Sequence, residues 1–173
     1  MINRKSFIVG VKSTKLSLSE KNFLKKYRPW GVILFSRNIN NIDQAKKLTF
    51  SIRKIFNDPN YPILIDQEGG RVNRLKKIIS FDNLTAEFFG KKFSKNHLEF
   101  KIFFKLFIDK TSFLLKSIGV NINTMPVLDL KIKGSSNVIG DRSYSNDPKI
   151  VSKIGDICID FFRQNSIGTV IKH

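Results

Sequence analysis

The stretch that decides the fold is YPILIDQEGGRVNRL, residues 61–75, in which a short apolar run passes directly into charged residues and two glycines. Its first half has the composition of a buried strand, whereas its second half carries Asp66, Glu68, Arg71 and Arg74. In parallel α/β proteins, the residues that follow a strand lie at the carboxyl edge of the sheet, where ligands bind. The stretch therefore predicts a strand end that delivers polar groups to a site.

Similar apolar runs recur along the chain and alternate with helical patterns. Strands are predicted at residues 7–11, 31–35, 61–65, 120–130 and 168–171. Helices are predicted at residues 17–27, 41–56, 89–118 with an interruption at 95–97, and 148–165. Short buried strands that alternate with helices indicate a parallel α/β architecture, which leaves an open doubly wound sheet or a (β/α)8 barrel.

The distribution of polar clusters favours the barrel. Such clusters follow four predicted strands, at Ser36-Arg37-Asn38, Asp66-Gln67-Glu68, Asp129 and Lys172-His173. A barrel spreads its site over many strand ends, whereas an open sheet concentrates it at one switch point. The sequence contains neither GxGxxG nor GxxxxGK[ST], the usual nucleotide-binding motifs.

Chain length refines this prediction. A complete barrel needs roughly 250 residues, and this chain has 173. We therefore expect a TIM-type (β/α)8 barrel truncated after about five strands, with residues 1–173 forming part of one domain. The open strand edges of such a piece are expected to promote self-association.

The net charge of +17 at pH 7 raises the question of nucleic-acid binding. Only eight of the 31 basic residues are arginine, and the lysines are scattered along the chain. Arginine is the residue that most often forms hydrogen bonds with bases and phosphate groups. A solvated lysine surface without a nucleic-acid partner is therefore expected. The basic, phenylalanine-rich region 89–118 is compatible with a membrane-surface helix, but packing of its phenylalanines on the sheet is favoured.

The expected compartment is the cytoplasm. The apolar run at residues 7–11 is shorter than the core of a signal peptide, and no run approaches the roughly 20 apolar residues needed for membrane insertion. The single cysteine, Cys158, excludes an intrachain disulfide and is expected to be a core residue. His97 is expected on the surface.

Five segments occur in an order that resembles glycoside hydrolase family 3: GVILFSRNI, LIDQEGGRVNRL, PVLDL, NVIGDRSYSNDP and GTVIKH. The chain is most similar to the bacterial β-N-acetylhexosaminidases of that family, which act in peptidoglycan recycling. The resemblance covers nearly the whole chain, and its most specific motifs are DQEGGRV and IGDRSYS. It implies a TIM-type barrel that removes terminal β-linked N-acetylglucosamine from glycans with retention, without a metal or another cofactor.

The resemblance also implies roles for individual residues. The expected substrate-binding residues are Asp66, Arg74, Arg142, Lys172 and His173. The acid/base histidine and the nucleophilic aspartate of the family are expected beyond His173, so the 173-residue chain alone is expected to be inactive. Thr85 stands where the family commonly has proline. The spacing between Asp66 and the arginines that follow it is also compatible with an Asp–Arg ion pair that only stabilises the loop, as an alternative to sugar binding.

Two other functions remain open from the sequence. One is another family 3 glycosidase, such as a β-glucosidase, although DQEGGRV and the terminal Lys-His pair are typical of the hexosaminidase branch. The other is a non-catalytic module that binds carbohydrate or nucleic acid.

Overall fold

Residues 4–132, 134 and 137–173 are described in a computed structural model, in which they form one parallel sheet with helices around it. The strands are β1 (Lys5–Gly10), β2 (Pro29–Leu34), β3 (Ile63–Ile65), β4 (Ile122–Asn123) and β5 (Gly168–Thr169). The helices are α1 (Leu18–Tyr27), α2 (Ile42–Phe56), α3 (Ala86–Lys95), α4 (His97–Ser117) and α5 (Pro148–Gln164). Two short 3₁₀ turns lie at Ser36–Asn38 and Gly140–Arg142.

The strand order identifies the architecture. Each strand pairs in parallel with the next strand in the chain, in the order β1-β2-β3-β4-β5. A doubly wound sheet would reverse its order at a switch point, whereas a barrel keeps the order of the chain. The sheet therefore has the topology of the first five strands of a (β/α)8 barrel, and this prediction is confirmed.

The predicted helix boundaries are confirmed except at the start of α3, which begins at Ala86 and not at residue 89. Ser17 accepts a hydrogen bond from the Glu20 amide at the start of α1, and Asp147 accepts one from the Lys149 amide at the start of α5. Asn96 ends α3 and caps α4 with its side chain. The interruption predicted at residues 95–97 is therefore a boundary between two helices.

The fourth strand is shorter than predicted. Only Ile122–Asn123 is paired as a strand within residues 120–130. Pro126 follows and has no backbone N–H to donate to a ladder, and the pairing resumes only as a single bridge between Val127 and Lys172. That bridge places Lys172 directly beside the segment after β4, so it helps to position the site.

The aromatic core explains the composition of α3 and α4. Phe89, Phe93, Phe100, Phe104 and Phe107 are all buried. The ring centroids of Phe89 and Phe104 lie 4.8 Å apart, a spacing at which aromatic pairs attract each other. The prediction that the phenylalanines of this region pack in the interior is therefore confirmed for these five, but it is wrong for Phe103, which is 45% exposed.

The remaining expectations on burial are also met. Cys158 is a fully buried free thiol, and His97 is exposed. Within the described part of the chain, no helix is both long and apolar enough to cross a bilayer.

Candidate functional site

Asp66 lies at the centre of a polar cluster at the carboxyl end of the sheet. It follows the last residue of β3, so the parallel strand directs it to this edge. Its Oδ2 accepts a hydrogen bond of 2.9 Å from Nη2 of Arg74, and its Oδ1 accepts one of 2.8 Å from Oγ1 of Thr124. The ammonium group of Lys172 also donates to Oδ1. Asp66 is thus held by groups from three separate parts of the chain.

These contacts determine the charge of Asp66. Burial acts to raise the pKa of the carboxyl group, but the hydrogen bonds and the positive charge of Lys172, together with hydrogen bonds from Thr124 and Arg74, lower the pKa to about 2. Asp66 is therefore ionised at neutral pH and acts as a hydrogen-bond acceptor.

A second carboxylate, Glu68, is joined to the same cluster. Its two oxygens accept parallel hydrogen bonds of 2.8 Å each from Nε and Nη2 of Arg142. This bidentate geometry fixes the guanidinium plane, and the hydrogen bond with Glu68 raises the pKa of Arg142. Nζ of Lys172 lies 2.6 Å from Oε1 of Glu68, so this one lysine bridges both carboxylates.

The two glycines of the DQEGG segment allow the chain to turn back toward the site. Gly69 has a φ of 89° and Gly70 a φ of 54°, in the left-handed region that favours glycine. A Cβ at Gly69 would also lie only 2.3 Å from the carbonyl oxygen of Leu84. The turn returns the chain toward β3 and brings Arg74 to Asp66.

Buried amides hold this turn in position. The side chain of Asn123, at the end of β4, donates to the carbonyl of Gln67 over 2.9 Å and accepts from its amide over 3.0 Å. The Oε1 atom of Gln67 in turn accepts from the backbone amides of Arg74 and Leu75 over 2.8 and 3.1 Å. Since Asn123 and Gln67 are fully buried, these bonds form a rigid frame beneath Asp66 and Glu68.

His173 lies at the margin of the cluster. Its Nδ1 is 2.7 Å from Oδ2 of Asp129, and about half of its side chain is exposed. Asp129 therefore orients the imidazole ring of His173.

Four of the five residues proposed to bind substrate form one connected network: Asp66, Arg74, Arg142 and Lys172. The fifth, His173, pairs with Asp129 instead. The roles of these five residues in binding substrate remain predictions.

Other sequence expectations for this edge are not met. Arg71 does not fold over the cluster, because its guanidinium group donates to the carbonyls of Asn137, Val138 and Ile139 and its Nε pairs with Asp141. The Ser36–Asn38 segment is likewise used to brace a loop, since Arg37 and Asn38 both donate to the carbonyl of Val11.

Sequence reasoning missed several members of the site. Glu68 was visible in the DQEGG segment, but its pairing with Arg142 depends on a contact across 74 positions. Thr124 and Asn123 have uncharged polar side chains, and only their place at the end of a predicted strand could have drawn attention to them.

The cluster suits a neutral polyhydroxyl ligand. Ionised carboxylates accept hydrogen bonds from hydroxyl groups, whereas Arg74, Arg142 and Lys172 can donate to hydroxyl and carbonyl oxygens. Among the described residues, no group of three or more His, Cys, Asp or Glu side chains could hold a metal ion. The fold and the site thus define a barrel-type α/β domain with a carbohydrate-compatible polar site at its strand ends.

Comparison with known proteins gives the family. The sequence model of the glycosyl hydrolase family 3 N-terminal domain family matches residues 2–173. A β-hexosaminidase of Hydrogenovibrio crunogenus is 36% identical over 96% of this chain and 46% of its own length, and one of Thioalkalivibrio sulfidiphilus is 30% identical over 96% and 47%. The chain belongs to glycosyl hydrolase family 3.

A solved structure within this family supports the observed fold. NagZ from Neisseria gonorrhoeae, in complex with N-trifluoroacetyl-D-glucosamine, superimposes with a TM-score of 0.88 at 27% identity, over 99% of this chain and 51% of that protein. The chain therefore spans about half the length of the relatives that it matches.

Proposed function

We propose that residues 1–173 supply the N-acetylglucosamine-binding part of a retaining β-N-acetylhexosaminidase that removes terminal β-linked N-acetylglucosamine from peptidoglycan-derived glycans. The observation that carries this proposal is the ionised Asp66, held at the end of β3 between Arg74 and Lys172. The β-hexosaminidase names of the relatives and the glucosamine derivative bound to NagZ support the sugar class.

The hydrogen-bonding capacity of Asp66 supports binding of a sugar hydroxyl. A carboxylate offers about four acceptor positions, and Thr124, Arg74 and Lys172 occupy three of them. One hydroxyl group can donate to the remaining position while its oxygen accepts from a neighbouring cation. A sugar hydroxyl can meet both requirements, whereas a group that only donates or only accepts hydrogen bonds cannot.

The bond-breaking groups are proposed to lie elsewhere in the protein. Retaining hydrolysis needs a carboxylate nucleophile and an acid/base on opposite faces of the sugar. A pKa of about 2 leaves Asp66 unable to donate a proton at neutral pH, and Glu68 is committed to a bidentate pair with Arg142. We assign Asp66 and Glu68 to binding, and the catalytic pair to the sequence after His173.

The proposed location is the cytoplasm, where fragments of peptidoglycan would be degraded. The buried free thiol of Cys158 supports a reducing environment. Cell fractionation would test this location.

Hydrolysis of aryl glycosides tests the proposed activity. The intact protein should cleave an aryl N-acetyl-β-glucosaminide and discriminate against the matching β-glucoside, whereas residues 1–173 alone should cleave neither. Preference for the glucoside would favour the β-glucosidase alternative, and rapid turnover by residues 1–173 would disprove the assignment of the catalytic groups.

A matched pair of variants tests the binding site itself. Asp66→Asn should raise the KM of the intact enzyme for the N-acetylglucosaminide by on the order of tenfold or more, since a charged hydrogen bond contributes about 1.5–3 kcal/mol. Asp160→Asn is the control, because Asp160 pairs only with Arg163 on the surface of α5 among the described contacts. Equal kinetics for the two variants would refute a role for Asp66 in binding.

A further inference from the structure

Helix α4 has a second apolar face that does not contribute to the core. Its buried side includes Phe100, Phe104 and Phe107. A separate set of large apolar side chains on the same helix is exposed: Leu98 by 70%, Ile102 by 53%, Leu106 by 61% and Phe113 by 60%. We call these four residues the outer stripe.

The outer stripe runs along one side of the helix. At about 100° per residue, its four members fall within an arc of about 80°. The buried phenylalanines lie on the opposite side of the same helical projection. Asp109 also falls within the arc and pairs with Lys105, so the face is an apolar stripe that contains one neutralised carboxylate.

The position of α4 keeps this face on the outside of the helical layer. Helix α4 packs against α3, α5 and α2, all within the described part of the chain. The inner side of α4 contacts the core. The four side chains of the outer stripe are exposed, so this side of α4 faces away from the core.

Lysine side chains flank the outer stripe on both sides. In the helical projection, Lys101 lies beside one margin of the stripe and Lys110 beside the other. Nζ of Lys110 lies 5.6 Å from the ring centroid of Phe113, which associates the charge with the apolar surface. Lys105, on the same margin as Lys101, is neutralised locally by Asp109 at 2.7 Å.

A basic groove continues this surface toward α2. The groove has a volume of about 420 Å³ and is lined by residues that include Lys46, Phe50, Arg53 and Lys116. Lys116 belongs to the same outer side of α4 as Leu98. Phe50 is 67% exposed, so the groove also combines cationic and apolar groups.

We propose that the outer stripe and the adjoining basic groove dock the protein on the surface of an anionic lipid bilayer. An amphipathic helix with apolar residues between lysines can lie in the interface, with its apolar side chains among the acyl chains and its ammonium groups at the headgroups. The net charge of +17 attracts the whole chain to such a surface.

The same charge disfavours a second copy of this chain as the partner. Two molecules that each carry +17 repel each other, and the lysines beside the outer stripe would face one another across a symmetric contact. The proposed docking is peripheral, with α4 lying along the bilayer surface. The surface lies on the helical layer and is separate from the polar cluster at the strand ends.

Sedimentation with lipid vesicles tests the proposal. The intact protein should bind vesicles of phosphatidylcholine mixed with phosphatidylglycerol, bind pure phosphatidylcholine vesicles at least tenfold more weakly, and lose affinity as salt increases. Failure to bind the anionic vesicles at low salt would overturn the proposal.

Paired variants separate the outer stripe from the general charge. Ile102→Ser combined with Leu106→Ser should lower the partition coefficient on anionic vesicles by on the order of tenfold or more. The matched control is Leu18→Ser, because Leu18 is 74% exposed on α1, outside this surface. Equal losses in the double variant and the control would refute docking through the outer stripe.

A second pair tests the lysines at constant apolar content. Lys101→Gln combined with Lys110→Gln should lower binding by on the order of tenfold, whereas Lys21→Gln combined with Lys25→Gln on α1 should have a smaller effect. Circular dichroism should show unchanged folding in all variants, since every replaced residue is exposed. If Ile102→Ser combined with Leu106→Ser changed only the oligomeric state in solution and left vesicle binding intact, the outer stripe would be a protein interface and the proposal would be wrong.

Discussion

Replacement of Asn123 by alanine should damage both stability and sugar binding, although Asn123 is not expected to touch the sugar. Its amide holds both backbone groups of Gln67 through hydrogen bonds of 2.9 and 3.0 Å, and Gln67 lies between the two carboxylates of the site. Loss of the amide would leave the N–H and the C=O of Gln67 without these partners in a fully buried position.

The expected cost follows from that burial. A buried polar group that loses its partner costs about 1–3 kcal/mol. With two such groups and partial relaxation, Asn123→Ala should lower the free energy of unfolding by about 2–4 kcal/mol. Because the turn that carries Asp66 and Glu68 would also loosen, the KM for an aryl N-acetylglucosaminide should rise by on the order of tenfold.

Asn121, which directly precedes β4, provides a matched control. Its side chain also bonds to backbone groups, accepting from the Ile63 amide over 2.8 Å and donating to the carbonyls of Asn60 and Tyr61 over 3.2 Å. These contacts lie at the opposite end of the sheet from Asp66. Asn121→Ala should therefore lower stability, by about 1–2 kcal/mol, but leave KM unchanged.

Urea denaturation and steady-state kinetics of the intact protein measure the two effects. Asn123→Ala with wild-type stability would refute the assignment of the hydrogen bonds. An equal rise in KM for both variants would show that general loosening, and not the frame beneath Asp66, controls binding.

Three further predictions concern the charge and packing of the same region. The depressed pKa of Asp66 stabilises the fold fully above about pH 4 and loses this effect as the pH falls toward 2. The free energies of unfolding of wild type and Asp66→Asn, measured with urea, should therefore differ by about 1–2 kcal/mol at neutral pH, allowing for solvent screening, and converge in acid. Lys172→Met should raise the pKa of Asp66, because the variant removes the hydrogen bond and the positive charge of Lys172; an NMR titration that shows no rise would contradict this pairing. Gly90→Ala should lower the free energy of unfolding by about 3 kcal/mol, and with it the melting temperature, since its Cβ would lie 1.6 Å from the carbonyl oxygen of Tyr144. A wild-type melting curve would disprove this close approach.

The sequence predicted the fold well where local signals were strong. The helices predicted from residues 17 and 148 and the interruption predicted at residues 95–97 depend on nearby residues, and each is confirmed. The parallel order of the strands followed from the alternation of strands and helices. The fourth strand was predicted to be longer than it is. An apolar run shows that a segment is buried but does not show that it is paired with a neighbouring strand, and Pro126 interrupts the pairing here.

The site was less predictable because its contacts are long-range. The strand-end position of Asp66 was visible locally, and so was the turn at Gly69 and Gly70. However, Arg71 and Arg74 lie in nearly equivalent sequence contexts. Only the structure shows that Arg71 donates to the carbonyls of residues 137–139 and that Arg74 donates to Asp66. The fact that Lys172 bridges two carboxylates has no local signature.

The separation of Asp66 and Lys172 by 106 positions has a consequence for protein synthesis. Chains leave the ribosome with their amino-terminal part first, so Asp66 and Glu68 emerge well before the lysine that bridges them. Until β5 docks, each carboxylate can pair with its own arginine, Arg74 or Arg142, but no cation joins the two pairs. The single connected network at the strand ends is therefore completed only when the fifth strand takes its place beside the fourth.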